Sequence, residues 1–285
     1  MRTPLAMTLL AGAMLFSSAA LAQPADEGPD DDPPEAAAAP ARRAPRSRMF
    51  SAADDRAERE RMRAQRNRRR APGEPEVLEL SGMPDAYFYR SAVGGRSRVY
   101  VYLHARNADP RESCRQFSAV VPRFGWLVCP VGPGIGAENR RQWNNNPIVA
   151  RQYATAAVDA LFRRFPRRAR ATDNVLMGFS EGAFVALQTG LHEPMIFPRW
   201  VIFAAHDRYL AIEHEALVAA QRAVRKIYLI TGQGDEIVEH TRRAAASLRR
   251  DRVGRVEMRI LPGVGHQLPP DFATTVRTAL RWVTR

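Results

Sequence analysis

From residue 77 to the end of the chain, short apolar runs alternate with longer stretches in which apolar residues recur every three or four positions. Short apolar runs with polar or glycine-containing flanks are typical of buried strands, and the longer periodic stretches are typical of helices that cover a sheet. The pattern predicts strands at 77–80, 86–90, 98–103, 126–130, 174–179, 200–204, 226–231 and 255–260. It predicts helices at 111–124, 148–165, 181–192, 208–224, 236–250 and 271–283.

The order of these elements predicts an α/β fold. Three strands come first without a helix between them, and Gly94-Gly95 predicts a hairpin turn between the second and the third. Strands and helices alternate after that, which favours a mostly parallel sheet with helices on both faces. We therefore expect one domain at 75–285, whose mostly parallel sheet has an antiparallel start.

The chain begins with the pattern of a secretory signal peptide. Arg2 precedes an apolar stretch that runs to Phe16, and Ala20-Leu21-Ala22 has the small residues of a cleavage site. The apolar stretch is short for a membrane span, although an uncleaved anchor is the alternative. We expect residues 1–22 to be a signal peptide and the mature protein to be exported, to a periplasm or to the outside of the cell.

Residues 23–74 contain too few apolar residues for a core. Proline, alanine and acidic residues dominate up to Pro40, and twelve arginines follow between Arg42 and Arg70. This composition predicts a disordered linker. The whole chain has a formal net charge of +13 at pH 7, but acidic residues nearly cancel the arginines of the linker. We therefore expect no specific binding of nucleic acid, and attraction of the basic domain to an anionic envelope or an acidic substrate is the alternative.

The segment Gly178-Phe179-Ser180-Glu181-Gly182 lies where a predicted strand passes directly into a predicted helix. A serine on such a tight corner stands clear of the sheet, and the glycines two residues before and after it remove Cβ atoms that would clash. A match to Gly-x-Ser-x-Gly is weak evidence by itself, and an ordinary turn serine is the alternative. The strand before it and the helix after it make Ser180 a candidate nucleophile.

A candidate acid and a candidate base follow Ser180 in the chain. Asp235 comes just after one predicted strand, and His266 comes after the next. All three residues lie beyond the carboxyl ends of strands, which is the edge where open α/β sheets build their sites. Asp235 is alternatively the N-cap of a helix, and Asp207, which follows the preceding strand, is the rival acid.

The order of Ser180, Asp235 and His266, with glycines just before each of the last two, resembles the α/β-hydrolase superfamily. The resemblance covers about residues 77–285, and the compact core without an obvious large lid looks like the small carboxylesterase, dienelactone hydrolase and depolymerase-type members. The resemblance implies the α/β-hydrolase fold and a serine hydrolase that cleaves a carboxylic ester, small or polymeric, without a cofactor. A peptidase or thioesterase of the same fold, and a non-enzymatic protein that binds the envelope or another surface, are the alternatives.

The chemistry of ester cleavage gives each of the three residues a role. A serine hydroxyl is a poor nucleophile until a base takes its proton, so Ser180 would attack the ester while His266 takes and later returns the proton. The carboxylate of Asp235 would hold the imidazole in the required tautomer and stabilise the imidazolium.

The developing oxyanion needs fixed N–H donors. One is predicted to be the backbone N–H of Glu181, the residue after the candidate nucleophile. The second is expected in the segment after the strand 98–103, where the N–H of Arg106 is the first choice and that of Ala105 the second. Members of the superfamily usually have glycine where this chain has Ala105. His104 and Trp143 are predicted to contact the substrate; alternatively, His104 supports the oxyanion loop and Trp143 packs in the core.

The two cysteines are predicted to pair. Cys114 falls on the predicted helix 111–124, and Cys129 ends the strand that follows. Sequential elements lie close together, and an exported protein meets an oxidising compartment, so a disulfide worth roughly 3 kcal/mol is expected; two buried thiols are the alternative. The sequence has no Cys-x-x-Cys pair, no zinc-like spacing of histidines and no phosphate-binding glycine loop. We therefore expect neither a metal nor another cofactor.

Overall fold

The computed structural model describes residues 73–210 and 214–285. The predicted signal peptide at 1–22 and the predicted linker up to residue 72 lie outside the described residues. Within the described part of the chain, none of the helices has both the length and the apolar character that crossing a membrane requires.

Gly73 and Glu74, just before the predicted domain boundary at residue 75, make contacts with the domain. The Tyr89 hydroxyl donates a hydrogen bond to the carbonyl oxygen of Gly73 at 2.8 Å. The Glu74 carboxylate forms ion pairs of 2.7 Å with Arg111 and with Arg115. These contacts attach the start of the described chain to the first helix of the domain.

The elements agree with the predicted alternation. The strands are β1 (Glu76–Leu78), β2 (Ala86–Tyr89), β3 (Val99–Leu103), β4 (Trp126–Pro130), β5 (Gly134–Ile135), β6 (Arg141–Gln142), β7 (Val175–Phe179), β8 (Arg199–Phe203), β9 (Lys226–Gly232) and β10 (Arg255–Leu261). The α-helices are α1 (Pro110–Ser118), α2 (Pro147–Arg164), α3 (Glu181–His192), α4 (His214–Ala223), α5 (Val238–Arg250) and α6 (Phe272–Thr284).

An eight-stranded sheet with the order β1-β2-β4-β3-β7-β8-β9-β10 forms the centre of the domain. β2 runs antiparallel to both β1 and β4, and every neighbouring pair from β4 to β10 is parallel. β5 and β6 form a separate antiparallel pair. The predicted fold class, a mostly parallel sheet with an antiparallel start, is therefore confirmed.

The predicted hairpin between β2 and β3 is wrong, because β4 lies between these two strands. Val128 of β4 is paired with Phe88 of β2 on one side and with Val101 of β3 on the other. All five residues of β4 are buried, so this strand belongs inside the sheet with both of its edges paired. Gly95, with a φ of 70°, turns the chain within a loop that crosses past β4.

Two segments that were predicted as helices contain a 3-10 turn. In the segment predicted as a helix at 208–224, Asp207–Leu210 form a 3-10 turn, and α4 covers His214–Ala223. The helix predicted at 111–124 ends with Ser118, and a separate 3-10 turn at Val121–Arg123 contains a proline at its second residue. Proline has no N–H to donate to the preceding helical turn, so α1 cannot continue through this segment.

Alternate residues of the central strands enter two hydrophobic cores, one on each face of the sheet. On β3, Val101 packs in the first core and Tyr102 in the second. The first core is closed by α2, α3, α4 and α5, and the second by α1 and α6. Because both faces are covered, the central strands appear in the sequence as continuous apolar runs.

A disulfide joins Cys114 of α1 to Cys129 of β4, with their Cα atoms 5.8 Å apart and a sequence separation of 15. Both residues are buried in the second core. The bond therefore attaches α1, the first helix after β3, to β4 of the sheet. Closing a loop of this length contributes roughly 3 kcal/mol in the chain-entropy model.

Candidate active site

Ser180 stands on a sharp corner between β7 and α3. Its backbone has a φ of 55° and a ψ of −122°, which is a strained conformation for a residue with a side chain. A Cβ atom at Gly178 would press against the backbone of Gly182, and a Cβ atom at Gly182 would press against the carbonyl oxygens of Leu103 and His104. The two glycines thus let the corner close and let the loop after β3 lie directly against it.

Ser180, His266 and Asp235 form a continuous chain of hydrogen bonds. His266 Nε2 lies 2.9 Å from Ser180 Oγ, and His266 Nδ1 lies 3.0 Å from Asp235 Oδ1. Because a carboxylate only accepts, the ring proton belongs on Nδ1, which leaves Nε2 to accept the proton of the serine hydroxyl. Ser180 and His266 are partly exposed, whereas the Asp235 side chain is only 1% exposed. Solvent and substrate therefore reach this chain of bonds from the serine end.

The Asp235 carboxylate is held by two further donors. The Ile237 N–H donates to Oδ1 at 3.0 Å, and the Thr231 hydroxyl donates to Oδ2 at 3.2 Å. These bonds satisfy a buried carboxylate and fix the direction in which it faces His266. The sequence analysis missed Thr231, and its place at the end of β9, close to Asp235, was the only signal. α5 begins at Val238 with Ile237 in the cap position, so Asp235 is not the N-cap of that helix.

Asp207, the rival acid, belongs to a different cluster. Its Oδ1 lies 2.6 Å from His240 Nδ1, and its Oδ2 accepts a hydrogen bond from Arg243 Nε at 2.7 Å. Burial raises the pKa of Asp207, but its bonds to His240 and Arg243 outweigh burial and hold the pKa at about 2. The Asp207 carboxylate thus bonds to two side chains of α5, whereas His266 is paired with Asp235.

Among the described residues, His206, Asp207 and His240 form the only group of three or more His, Cys, Asp or Glu side chains whose ligand atoms all lie within 4.8 Å of one another. The two imidazole rings are stacked with centroids 3.6 Å apart. The pKa of His206 is lowered mainly by burial and to a smaller extent by the neighbouring His240. The Arg243 guanidinium bonds to Asp207 and lies 2.8 Å from His240 Nδ1, so two of these three side chains already have a cationic partner.

His104 supports the loop after β3 from inside the protein. It is 1% exposed, and its ring lies between two backbone groups: Nδ1 is 2.8 Å from the Ala105 carbonyl oxygen, and Nε2 accepts from the Gly132 N–H at 2.9 Å. Burial lowers the pKa of His104 to about 4, so the ring is neutral, with its proton on Nδ1. The prediction that His104 contacts the substrate is corrected, because the ring is enclosed and both of its nitrogens are used.

Trp143 is also enclosed. Its side chain has no exposed surface, its ring lies 5.1 Å from that of His104, and its Nε1–H donates to the His104 carbonyl oxygen at 3.0 Å. The prediction that Trp143 contacts the substrate is corrected for the same reason as for His104. Both residues fall in predicted loops, but Trp143 belongs to the first core and the His104 ring lies against it.

The two predicted oxyanion donors lie on adjoining segments. Glu181 is the first residue of α3, and the N–H of a first helical residue has no helical carbonyl to bond. Arg106 is in the loop that Gly182 contacts, and its Nε lies 3.4 Å from Glu181 Oε1. The loop after β3 and the start of α3 therefore meet through these two residues, next to Ser180.

A family model described as phospholipase/carboxylesterase matches residues 150–284, the part of the chain that contains Ser180, Asp235 and His266. This match agrees with the sheet order and with the serine corner between β7 and α3. The protein has the α/β-hydrolase fold. The resemblance inferred from the sequence is thereby confirmed, and the matched family is of the carboxylesterase type.

Solved structures with the same fold include two bacterial carboxylesterases and a plant thioesterase. The Bacillus cereus carboxylesterase is 14% identical, with a TM-score of 0.56 over 72% of this chain and 94% of that chain. The Mesorhizobium loti carboxylesterase is 18% identical, with a TM-score of 0.56 over 73% of this chain and 99% of its own. Acyl-protein thioesterase 2 from Zea mays is 17% identical, with a TM-score of 0.50 over 70% and 97%. Among curated proteins no match was found.

Proposed function

We propose that this α/β-hydrolase is an exported enzyme that cleaves carboxylic esters through Ser180, His266 and Asp235. The hydrogen-bond chain from Ser180 Oγ through His266 to Asp235 Oδ1 carries this proposal, because its 2.9 Å and 3.0 Å distances are those at which a base can take the proton of a serine. The corner that holds Ser180 clear of the sheet supports the same role.

The reaction proceeds in two halves. Ser180 Oγ attacks the carbonyl carbon of the ester while His266 Nε2 takes the serine proton, and the carbonyl electrons move onto the oxygen. The tetrahedral intermediate collapses, the bond to the alcohol breaks, and the alcohol leaves with the proton from Nε2. Water then attacks the acyl group on Ser180 with His266 as base, and the carboxylic acid is released as the serine regains its proton.

Backbone N–H groups stabilise the negative oxygen in both halves. Glu181 N–H is the first donor, and Arg106 N–H is the second, with Ala105 N–H as the alternative position in the same loop. Loss of one such donor commonly raises the barrier by about 3–4 kcal/mol. The contact of the loop after β3 with Gly182 supports this pairing, since it keeps the loop and the start of α3 together.

The location and the range of substrates extend the proposal. Residues 1–22 have the pattern of a signal peptide, and a disulfide suits an oxidising compartment, so the enzyme works in a periplasm or outside the cell. Its substrate is a small or polymeric ester. Thioester cleavage is the second candidate, because one structural neighbour is an acyl-protein thioesterase and the same three residues serve either leaving group.

Labelling with a fluorophosphonate probe tests the proposal. The parent protein is expected to react at one serine, Ser180, and Ser180→Ala is expected not to react. A panel of p-nitrophenyl esters and matched acyl thioesters of rising chain length then identifies the preferred substrate. A parent protein that neither labels nor hydrolyses any member of the panel would favour the non-enzymatic alternative, a surface-binding protein on a hydrolase fold.

A further inference from the structure

The Glu181 side chain is a buried carboxylate that ester cleavage by the three residues above does not use. Glu181 is 2% exposed, yet it lies beside the residue proposed as the nucleophile. Its Oε2 accepts from the Trp143 N–H at 2.9 Å, its Oε1 accepts from the Asn145 N–H at 3.0 Å, and Arg106 Nε lies 3.4 Å from Oε1. A carboxylate is buried at a large cost unless charged or N–H partners surround it, and here both oxygens have partners.

The donors belong to a turn that needs a fixed partner. Asn144 and Asn145 have φ values of 53° and 49°, and the Asn146 N–H donates back to the Trp143 carbonyl oxygen at 3.0 Å. Successive residues with positive φ define a tight turn in which asparagine is favoured over most residues. Such a turn directs backbone N–H groups toward one side, and the Glu181 carboxylate accepts two of them.

The turn is connected in its other direction to the loop after β3. The Trp143 ring donates to the His104 carbonyl oxygen, and the His104 ring bonds to Ala105 and to Gly132. Arg106, two residues further on, returns to Glu181. Glu181, the turn at 143–146 and the loop at 104–106 therefore form a closed ring of contacts.

We propose that the Glu181 carboxylate is a positioning residue for the oxyanion-binding backbone. By fixing the turn at 143–146 and the Arg106 side chain, it holds the loop at 104–106 at a set distance from the start of α3, and so keeps the Glu181 and Arg106 N–H groups aimed at one oxygen atom. The inference rests on the proposed function, and it adds a role for the side chain of a residue whose backbone was already assigned.

The geometry explains why a carboxylate occupies this place. Two backbone N–H groups approach different oxygens of the side chain, and neither can accept a hydrogen bond. Glutamine offers one oxygen and one NH₂ group, so in Glu181→Gln one N–H would face another donor. Glu181→Ala would leave both N–H groups without their partner. The expected order of damage is therefore Ala greater than Gln, with both variants worse than the parent.

The test compares Glu181→Gln and Glu181→Ala with the parent and with Glu193→Gln. Glu193 follows the opposite end of α3 and pairs with Arg151 at 3.8 Å, so this control removes a carboxylate that does not touch the site. We expect kcat for a p-nitrophenyl ester to fall roughly tenfold in the Gln variant and roughly a hundredfold in the Ala variant. The first decrease is smaller than the decrease caused by removing one oxyanion donor, and the second is close to it. KM should stay within about twofold, because the contacts are needed at the transition state.

Two further measurements separate positioning from a general loss of structure. The inhibition constant of a trifluoromethyl ketone, whose adduct places an oxyanion in the site, should rise by the factor by which kcat/KM falls. Amide hydrogen exchange in the segment 140–147 should become faster in both Glu181 variants and stay unchanged in Glu193→Gln, because the Trp143 and Asn145 N–H groups lose their acceptors.

The outcomes distinguish this inference from the proposed function. Unchanged exchange in the segment 140–147 overturns the inference, whatever the activity. Faster exchange with kcat unchanged, or with KM rising and kcat constant, also overturns it, because the carboxylate would then hold a turn that has no effect on the oxyanion. A parent protein without esterase activity and without fluorophosphonate labelling overturns the proposed function itself, and with it the role in positioning.

Discussion

Replacing Asp235 with asparagine is the sharpest test of which carboxylate serves His266. Asp235 Oδ1 accepts from both His266 Nδ1 and the Ile237 N–H, and Oδ2 accepts from the Thr231 hydroxyl. In Asp235→Asn the amide oxygen has to stay on the side of Ile237, since an NH₂ group there would face a donor. The Thr231 hydroxyl can rotate to accept from the amide NH₂. The variant therefore keeps the fold and the tautomer of His266, and it loses only the negative charge.

The size of the effect follows from that charge. A carboxylate and an imidazolium separated by the 3.0 Å seen between Asp235 and His266 attract each other by about 5 kcal/mol at an effective dielectric constant of about 20. Solvent at the partly exposed ring reduces this, so about 3–5 kcal/mol of transition-state stabilisation is lost. Since each 1.36 kcal/mol is a factor of ten, kcat should fall by a factor on the order of 10² to 10⁴.

The assay is steady-state hydrolysis of a p-nitrophenyl ester at pH 7.5, with the thermal midpoint of each variant recorded beside it. Asp207→Asn is the matched control, because that carboxylate contacts His240 and Arg243 and not His266. It should change kcat by less than about threefold. A reversed ranking of the two variants, or an Asp235→Asn enzyme within tenfold of the parent, would refute the assignment of the acid.

Four further outcomes are expected. Ser180→Ala should abolish hydrolysis while the thermal midpoint stays the same or rises, since the strained corner is retained; activity within tenfold of the parent would exclude Ser180 as the nucleophile. A chain that begins at Gly73 should keep kcat/KM and the thermal midpoint of the mature protein, because residues 23–72 lack the apolar content to dock on a core; loss of soluble protein would contradict this. Reduction of the Cys114–Cys129 bond should lower the thermal midpoint by several degrees, in line with ~3 kcal/mol, and intact mass after alkylation without reductant should show no labelled cysteine. Burial lowers the pKa of His104 from 6.5 to about 4, so between these pH values the unfolded state binds more protons than the folded state. The free energy of unfolding should therefore fall, by up to about 3 kcal/mol, as the pH drops from 6.5 to 4. Urea titrations should show this pH dependence in the parent and a smaller one in His104→Gln.

The sequence analysis predicted the elements and the three residues of the hydrogen-bond chain because each depends on local signals. Ser180, Asp235 and His266 each follow a strand in a parallel sheet, so their order along the chain and the edge they share could be read without knowing which strands are neighbours. The place of β4 could not be read in this way. Its pairing with Phe88 and Val101 depends on contacts between distant segments. Gly94-Gly95 indicated a turn, but this turn lies in the loop that connects β2 to β3 past β4, and it does not join two paired strands.

The surroundings of the site were harder to predict than its centre. Trp143 and His104 fall in loops, and loops are usually at the surface, but here the loops on which they lie bond to each other and pack inward. The buried position of the Glu181 side chain could not be predicted from the sequence, because its partners are backbone N–H groups of a turn formed by Trp143, Asn144 and Asn145. Periodicity and spacing describe side chains on elements, and they do not report which backbone groups a loop presents.

The place of β3 in the sheet affects when the domain can fold. Both neighbours of β3 come later in the chain, and the Val99 N–H bonds to the side chain of Asn174, 75 residues further on. The entropy of closing so long a loop has to be overcome before the contact gives any stabilisation, so β3 gains β7, its second neighbour in the sheet, only after the chain has been synthesised as far as β7.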